Sequence, residues 1–346
     1  MADLDPRPER ILVIRYRFIG DTVLAIPFLR NLRRAFPSAR IDVLAEPVSG
    51  DTLAFCPYKD ELLYYGPRLK GEKKRQARFP TSLLGAARFL RARKYDRCYI
   101  LRRSFSSAIL PWLAGIPHRV GFATEGRGWL LQRSAPYADK HEVECFLDVL
   151  RADGIPVTDT RNENWTDPAT DQRVAAALPA GQRPRVFLCA KSIVPTKDWA
   201  PERFAQLITW LVNARGCEVH LCDSPGYANY YEEIRAALPA PLARDLIDWS
   251  RQLSLKESNS LFRCMDLAIG IDTGLLHLAA SFHVPIVALF GPLEPWRWHP
   301  WDTKHTILRP DDVSGPHPLL QISVAAVQAA ADQYLSNPTR ENHPPQ

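Results

Sequence analysis

Three features of the sequence predict two doubly wound α/β domains. Short apolar runs alternate with amphipathic stretches, the alternation breaks once near the middle, and 346 residues are about twice a typical domain. Hydrophobic residues at 46% and charged residues at 24% match ordinary globular usage, which excludes a disordered or fibrous chain.

The first run, Ile11 to Ile14, is continuously apolar, as a strand covered on both faces must be. A loop follows. Gly20, Asp21 and Thr22 then open a helical stretch in which Val23, Ile26, Leu29, Leu32 and Phe36 recur, with Pro27 tolerated only in a first turn. Further strands are predicted at Ile41 to Ala45, Glu61 to Tyr65, Cys98 to Leu101 and Arg119 to Phe122. Helices are expected near Thr81 to Arg93 and Glu142 to Ala152. Between Asp153 and Pro184 the pattern dissolves into Pro-, Asp-, Thr- and Gly-rich sequence, broken by a short helical stretch at Val174 to Leu178.

The alternation then restarts. Strands are expected at Val186 to Ala190, Cys217 to Cys222, Asp245 to Ile247, Leu267 to Ile271 and Ile286 to Phe290. Helices are expected at Pro201 to Ala214, Tyr227 to Leu238, Leu255 to Cys264, Leu275 to Phe282 and Ile322 to Leu335. The expected divisions are a first domain at 1–165, a second at 166–320, a closing helix at 321–336 and a disordered tail at 337–346.

The amino terminus lacks the apolar core of a secretory signal, and no uncharged run reaches the ~20 residues that cross a bilayer. A cytoplasmic protein is expected. Its seven cysteines are scattered and odd in number, which reads as buried, reduced thiols. Only Cys217 and Cys222 lie close together, with no second pair to complete a zinc site.

Charge divides the chain. Residues 1–150 hold 26 Lys and Arg against 16 Asp and Glu, whereas the remainder holds 18 against 22. Within the first half, Arg68 to Arg103 carries 13 basic and two acidic residues, a field suited to phosphate or an anionic surface, or else a solvated helical face. Nucleic acid is disfavoured because no stacking aromatic series accompanies the basic residues.

In an open parallel sheet, ligands bind beyond the carboxyl ends of the strands, where the next helix presents free N–H groups. Two segments have that form. In one, Arg15 and Arg17 precede Gly20 and Asp21; Asp21 would also serve there as a helix cap. In the other, the run Ile269 to Ile271 leads into Asp272, Thr273 and Gly274, with His277 one turn later. Neither is a G-x-G-x-x-G fingerprint or a P-loop, and no serine or cysteine nucleophile motif is present, which disfavours a Rossmann oxidoreductase.

The stretch from Ile11 to Leu44, with Gly20-Asp21-Thr22 and Phe36-Pro37, resembles the amino-terminal motif of the lipopolysaccharide heptosyltransferases, glycosyltransferase family 9. Asp272-Thr-Gly-Leu-Leu-His-Leu-Ala-Ala280, then Val284 to Pro292 and Pro295 to Pro300, resemble that family's carboxyl-terminal motif. Lys197-Asp-Trp-Ala-Pro-Glu-Arg-Phe204 is similar to its Lys-x-Trp-Pro segment with one inserted alanine.

The resemblance implies a GT-B fold, two Rossmann-like domains facing across a cleft, with acceptor on the first and nucleotide-sugar donor on the second. It implies transfer with inversion at the anomeric carbon and no required metal or other cofactor, the donor, an ADP-sugar such as ADP-heptose, being a co-substrate. Asp21 would be the general base and Lys197 would offset charge on the leaving diphosphate. The backbone N–H groups of Thr273, Gly274 and Leu275 would help it, with Asp272 and His277 near the donor phosphates and sugar. The expected acceptor is a phosphorylated glycolipid core or related saccharide, contacted by Arg15 and Arg17, with peripheral contact at an anionic membrane face. Trp296, Trp298 and Trp301 would line the cleft or simply pack.

Asp223-Ser-Pro-Gly-Tyr227 stands where members using ADP-heptose often carry a glutamate, and Tyr16-Arg17-Phe18 replaces small polar residues. Another nucleotide sugar, a non-lipid acceptor and a non-catalytic binding module of the same fold therefore stay open at this level.

Overall fold

Arg10–Ile14, apolar after its first residue, is the central strand β1 of a six-stranded sheet and pairs in parallel on both edges. The structure, a computed structural model, describes residues 8–15, 17–65, 79–80, 82–192, 194–222 and 225–336. The expected tail, the basic residues from Arg68 to Arg78, and Asp223 lie outside the described residues.

The chain separates into two compact units, Met1–Arg161 and Asn162–Gln346. In the first, β1 is joined by β2 (Arg40–Ala45), β3 (Glu61–Tyr64), β4 (Arg97–Ile100), β5 (His118–Phe122) and β6 (Arg133–Ala135) in the order β3-β2-β1-β4-β5-β6. In the second, β7 (Arg185–Cys189), β8 (Glu218–Leu221), β9 (Ile247–Asp248), β10 (Leu267–Ile271), β11 (Ile286–Leu289) and β12 (His305–Leu308) are ordered β12-β11-β10-β7-β8-β9. Each is the doubly wound nucleotide-binding order, whose switch point lies between β1 and β4 in one unit and between β7 and β10 in the other.

Local chemistry explains where the elements stop. The helical stretch after β1 is two helices, Ile19–Val23 and Ile26–Ala35, with Pro27 in the first turn of the second, where its missing N–H costs nothing. Ser82 Oγ accepts from Gly85 N–H and starts the helix Leu83–Ala92. Gly216, at φ +63°, ends Pro201–Arg215 in the left-handed region that favours glycine. Between the expected strands, Phe105–Leu113 forms a helix, and the linker region holds Pro168–Ala177, capped by Asp167. The strand expected at Asp245 to Ile247 begins two residues later, because Asp245 completes the helix Ala240–Asp245.

Each unit has its own apolar core. Leu12, Ile14, Leu44, Cys98 and Ile100 anchor one, and Val186, Leu188, Leu207, Ile269 and Leu289 the other. At Gly270, opposite Cys189, a Cβ would stand 2.1 Å from the Cys189 carbonyl oxygen, so only glycine permits this approach of β10 to β7. Six of the seven cysteines are buried, and Cys264 is partly so. Among the described residues no helix is long and apolar enough to cross a membrane.

Candidate functional site

Both candidate segments lie at the switch points. In the first unit the carboxyl ends of β1, β4 and β5 open onto a cavity of about 470 Å³. Asp21 lines it from the first turn of the helix Ile19–Val23. Its Oδ1 is 2.7 Å from Arg15 Nη2, and its Oδ2 accepts from Phe18 N–H at 3.0 Å. The second bond is half of a capping box; Phe18 has no side-chain acceptor to supply the other half. Two of the carboxylate's roughly four lone-pair sites are thereby engaged, which fixes its rotamer and leaves capacity for a proton. Arg15 is buried, with its guanidinium 5.2 Å from the Phe146 ring, so Asp21 is held by a group that is itself held.

Arg17 lines the same cavity, half exposed and paired with Glu46. Arg102 and Arg103, from the end of β4, complete a set of four lining arginines. Three other arginines of the basic run have different duties. Arg91 bonds Leu113 and Ala114 carbonyls, Arg93 pairs with Glu61, and Arg97 pairs with buried Asp153.

Two residues of this site stand in no sequence motif. Glu142 opens the helix Glu142–Ala152, lines the cavity and accepts from Tyr137 Oη at 2.7 Å, with Arg103 stacked 4.5 Å over the Tyr137 ring. Burial, reinforced by the charge of Asp21, raises its carboxyl above the ordinary range, against the Tyr137 hydrogen bond and the charges of Arg15 and Arg103. Arg127 is fully buried. It donates to the Phe122 and Ser104 carbonyls at 2.7 Å each, to Ser107 Oγ at 2.8 Å and to the Arg102 carbonyl, clamping the backbone that presents Arg102 and Arg103. Burial lowers it to about 10, so it stays cationic at neutral pH.

In the second unit, Lys197 and Asp272 meet across the β7–β10 switch point, 75 residues apart in sequence. Lys197 Nζ lies 2.7 Å from Asp272 Oδ2 and 3.2 Å from the Asp272 carbonyl oxygen, and both side chains are largely buried. Lys197 ends the short turn Pro195–Lys197, which buried Trp199 pins by donating from Nε1 to the Ile322 carbonyl at 3.0 Å. A tryptophan two residues after the lysine thus anchors the loop. Asp272 N–H bonds the Leu289 carbonyl at the end of β11.

Thr273 caps the helix Gly274–Ala280, and its buried Oγ1 has no hydrogen-bond partner among the described residues. Leu276 N–H closes onto the Thr273 carbonyl, leaving the Gly274 and Leu275 N–H groups without an intrahelical acceptor. His277 is buried one turn along. Beside this site, Lys191 pairs with Asp198 and sits 4.9 Å over the Tyr230 ring. Trp296 is exposed with the Arg297 guanidinium 4.7 Å over its ring, while Trp301 stacks on His299. Among the described residues, no group of three or more His, Cys, Asp or Glu is placed to hold a metal ion.

Comparison with known proteins bears on the fold and the family. The structure of Escherichia coli ADP-heptose lipopolysaccharide heptosyltransferase II superposes with a TM-score of 0.78 at 26% identity, covering 94% of this chain and 98% of that one. Lipopolysaccharide heptosyltransferase 2 of Escherichia coli K12 is 28% identical over 320 residues, 87% of this chain and 88% of the relative. The lipooligosaccharide heptosyltransferase 2 of Haemophilus influenzae is 28% identical over 316 residues, 86% and 88%. Two doubly wound parallel sheets matching these proteins define a glycosyltransferase of the GT-B class. Residues 84–317 match the model of glycosyltransferase family 9 (heptosyltransferase), and the chain belongs to that family.

Proposed function

We propose that this enzyme transfers heptose from ADP-heptose to a saccharide of the lipopolysaccharide core, with inversion at the anomeric carbon. The relatives named as a lipopolysaccharide and a lipooligosaccharide heptosyltransferase support the sugar and the acceptor, and the ADP-heptose in the name of the superposed structure supports the donor.

The observation that carries the residue assignment is the fixed carboxylate of Asp21, lining a 470 Å³ cavity beyond β1. Asp21 takes the proton from the acceptor hydroxyl as that oxygen forms its bond to the anomeric carbon. The bond from that carbon to the diphosphate oxygen breaks, and ADP leaves with the electron pair. Lys197 offsets the charge that grows on the diphosphate, and Asp272 holds the ammonium in place. Thr273 Oγ1 and the free N–H groups of Gly274 and Leu275 add donors, although a helix of seven residues contributes little dipole, so the lysine is the main charge. His277 lies near the donor sugar. Arg15 fixes the base, while Arg17, Arg102 and Arg103 meet anionic groups of the acceptor. A lipid-borne acceptor brings the reaction to a membrane surface, where the enzyme works without crossing it.

The test is an ADP-heptose transfer assay on D21N. Turnover should fall by about 10²–10⁴ while the donor dissociation constant stays within about twofold. Turnover within about tenfold of wild type would remove Asp21 from the role of base. A thermal-shift panel of ADP, UDP, GDP and dTDP tests the donor; stabilisation by UDP in place of ADP would overturn ADP-heptose.

A further inference from the structure

The helices Leu83–Ala92 and Phe105–Leu113 pack against each other over Ala86, Ala87, Leu90, Ala108 and Leu110 of the first core. Large apolar side chains are exposed on them and on the adjoining turn Arg127–Leu130. Leu84 is 63% exposed, Trp112 43% and Trp129 66%, and Leu83 and Phe105 are exposed beside them. The rings form one cluster, with Trp129 6.2 Å from Trp112 and 6.4 Å from Phe105 between centroids. Exposed aromatic rings that touch one another mark an interaction surface, whereas scattered ones do not.

The surroundings are cationic. Arg88 and Arg91 are exposed four and seven residues after Leu84, on the same stripe of one helix, and Lys94 is exposed just beyond its end. Arg91 Nη2 donates to the Leu113 carbonyl at 2.7 Å, which places a guanidinium next to Trp112. Residues 82–117 contain seven basic residues and one acidic one, Asp96, which is spent on the N–H groups of Glu9 and Arg10. The acidic neighbour Glu125 accepts from Phe105 N–H at 2.8 Å. Trp, Phe and Leu beside Arg and Lys are the chemistry of a surface that lies in a bilayer interface, rings among the acyl boundary and cations among anionic headgroups. Two copies of a cationic face repel each other, which disfavours a second copy of this chain as the occupant.

Topology connects the face to the site. A crossover helix between parallel strands returns the chain, so both helices begin at the carboxyl edge of the sheet, the edge on which the cavity opens. Leu83, Leu84 and Phe105 stand in those first turns, and Ser104 and Glu125, beside Phe105, line the cavity. We infer that the face formed by Leu83, Leu84, Phe105, Trp112 and Trp129 with Arg88 docks the first unit onto an anionic phospholipid bilayer and presents the cavity at its surface. The inference extends the acceptor reading but rests on surface chemistry alone.

The experiment is flotation of the full chain with vesicles, without donor or acceptor, so that failure of the transfer reading leaves it untouched. Wild type should float with vesicles of equal parts phosphatidylcholine and phosphatidylglycerol and stay behind with phosphatidylcholine alone. W112S/W129S should weaken binding by about tenfold or more, as should R88Q/K94Q, with turnover on a delipidated acceptor unchanged. If W112S/W129S fails to fold, L84Q and R88Q/K94Q carry the same test from an exposed helix face. Absence of flotation by wild type, or flotation indifferent to these substitutions, would overturn the inference. So would a dimer in sedimentation that W112S/W129S splits, since a second copy would then cover the face.

Discussion

Removing the charge from Lys197 and Asp272, singly and together, separates what the pair does for the fold from what the lysine does for the reaction. The two groups lie 2.7 Å apart with side chains 11% and 8% exposed, so a lone survivor of either sign is left uncompensated in a largely dry place. Loss of one partner of a buried ion pair costs about 3–5 kcal/mol, whereas replacing both by neutral groups of similar shape is often close to neutral. K197M and D272N should therefore each destabilise the second unit by about 3 kcal/mol, and K197M/D272N by about 3 kcal/mol or less, where independent sites would lose ~6 kcal/mol. Urea denaturation followed by far-UV circular dichroism reads this as the midpoint of the second unit's transition. Turnover should follow a different pattern. K197M and the double variant both lack the ammonium that meets the leaving diphosphate, and both should lose about 10²–10³ in kcat. D272N keeps the ammonium but frees it to wander, so it should retain more activity than either. Additive destabilisation in the double variant would refute the coupling argument. A K197M enzyme within about tenfold of wild-type kcat would refute the role of Lys197 at the leaving group.

Two further predictions concern the second sheet. His220 is fully buried and accepts the Trp249 Nε1–H at 3.1 Å; burial, helped by the charge of Arg185, lowers it from 6.5 to about 4. The unfolded chain takes up a proton near pH 6.5 and the folded chain only near 4, so stability is full above 6.5 and falls as pH drops through that window, by about 3 kcal/mol in total. H220Q, which keeps an acceptor for Trp249, should flatten this part of the stability profile; an unchanged slope between pH 6.5 and 4 would show that another group titrates. G270A puts a Cβ 2.1 Å from the Cys189 carbonyl oxygen, and backbone cannot yield as a side chain can. It should cost more than about 3 kcal/mol, read as a collapse in folded yield, and a stability within about 1 kcal/mol of wild type would mean that β10 shifts to accommodate it.

Much of the fold was legible because strands covered on both faces are written as unbroken apolar runs. Arg10–Ile14, Leu267–Ile271 and Ile286–Leu289 announce themselves that way, and Pro27 marks where a helix can begin. Two of the edge strands do not. β6 is Arg-Ser-Ala and β12 opens on His305 and Thr306, so no local pattern separates them from loops. The sheet, by offering a parallel edge, decides that they are strands.

The candidate site divides in the same way. Asp21 and Asp272 were visible because a carboxylate just past an apolar run and at the start of a helix must lie at the carboxyl edge of a sheet. The pairing of Asp272 was not. Lys197 meets Asp272 only because β7 and β10 are sheet neighbours although far apart in sequence, and nothing local to either residue encodes that adjacency. Glu142 and Arg127 belong to the first site for a similar reason. One follows β6 and the other follows β5, and the strand order carries both beside the ends of β1 and β4. Sequence by itself determined most of the elements, their doubly wound alternation and the two segments where chemistry belongs, because periodicity and capping act over a few residues. Which charges face each other, which carboxyl is raised by burial and which arginine is spent on backbone carbonyls were decided only by tertiary structure, because those energies depend on distance and dielectric between groups the chain keeps far apart.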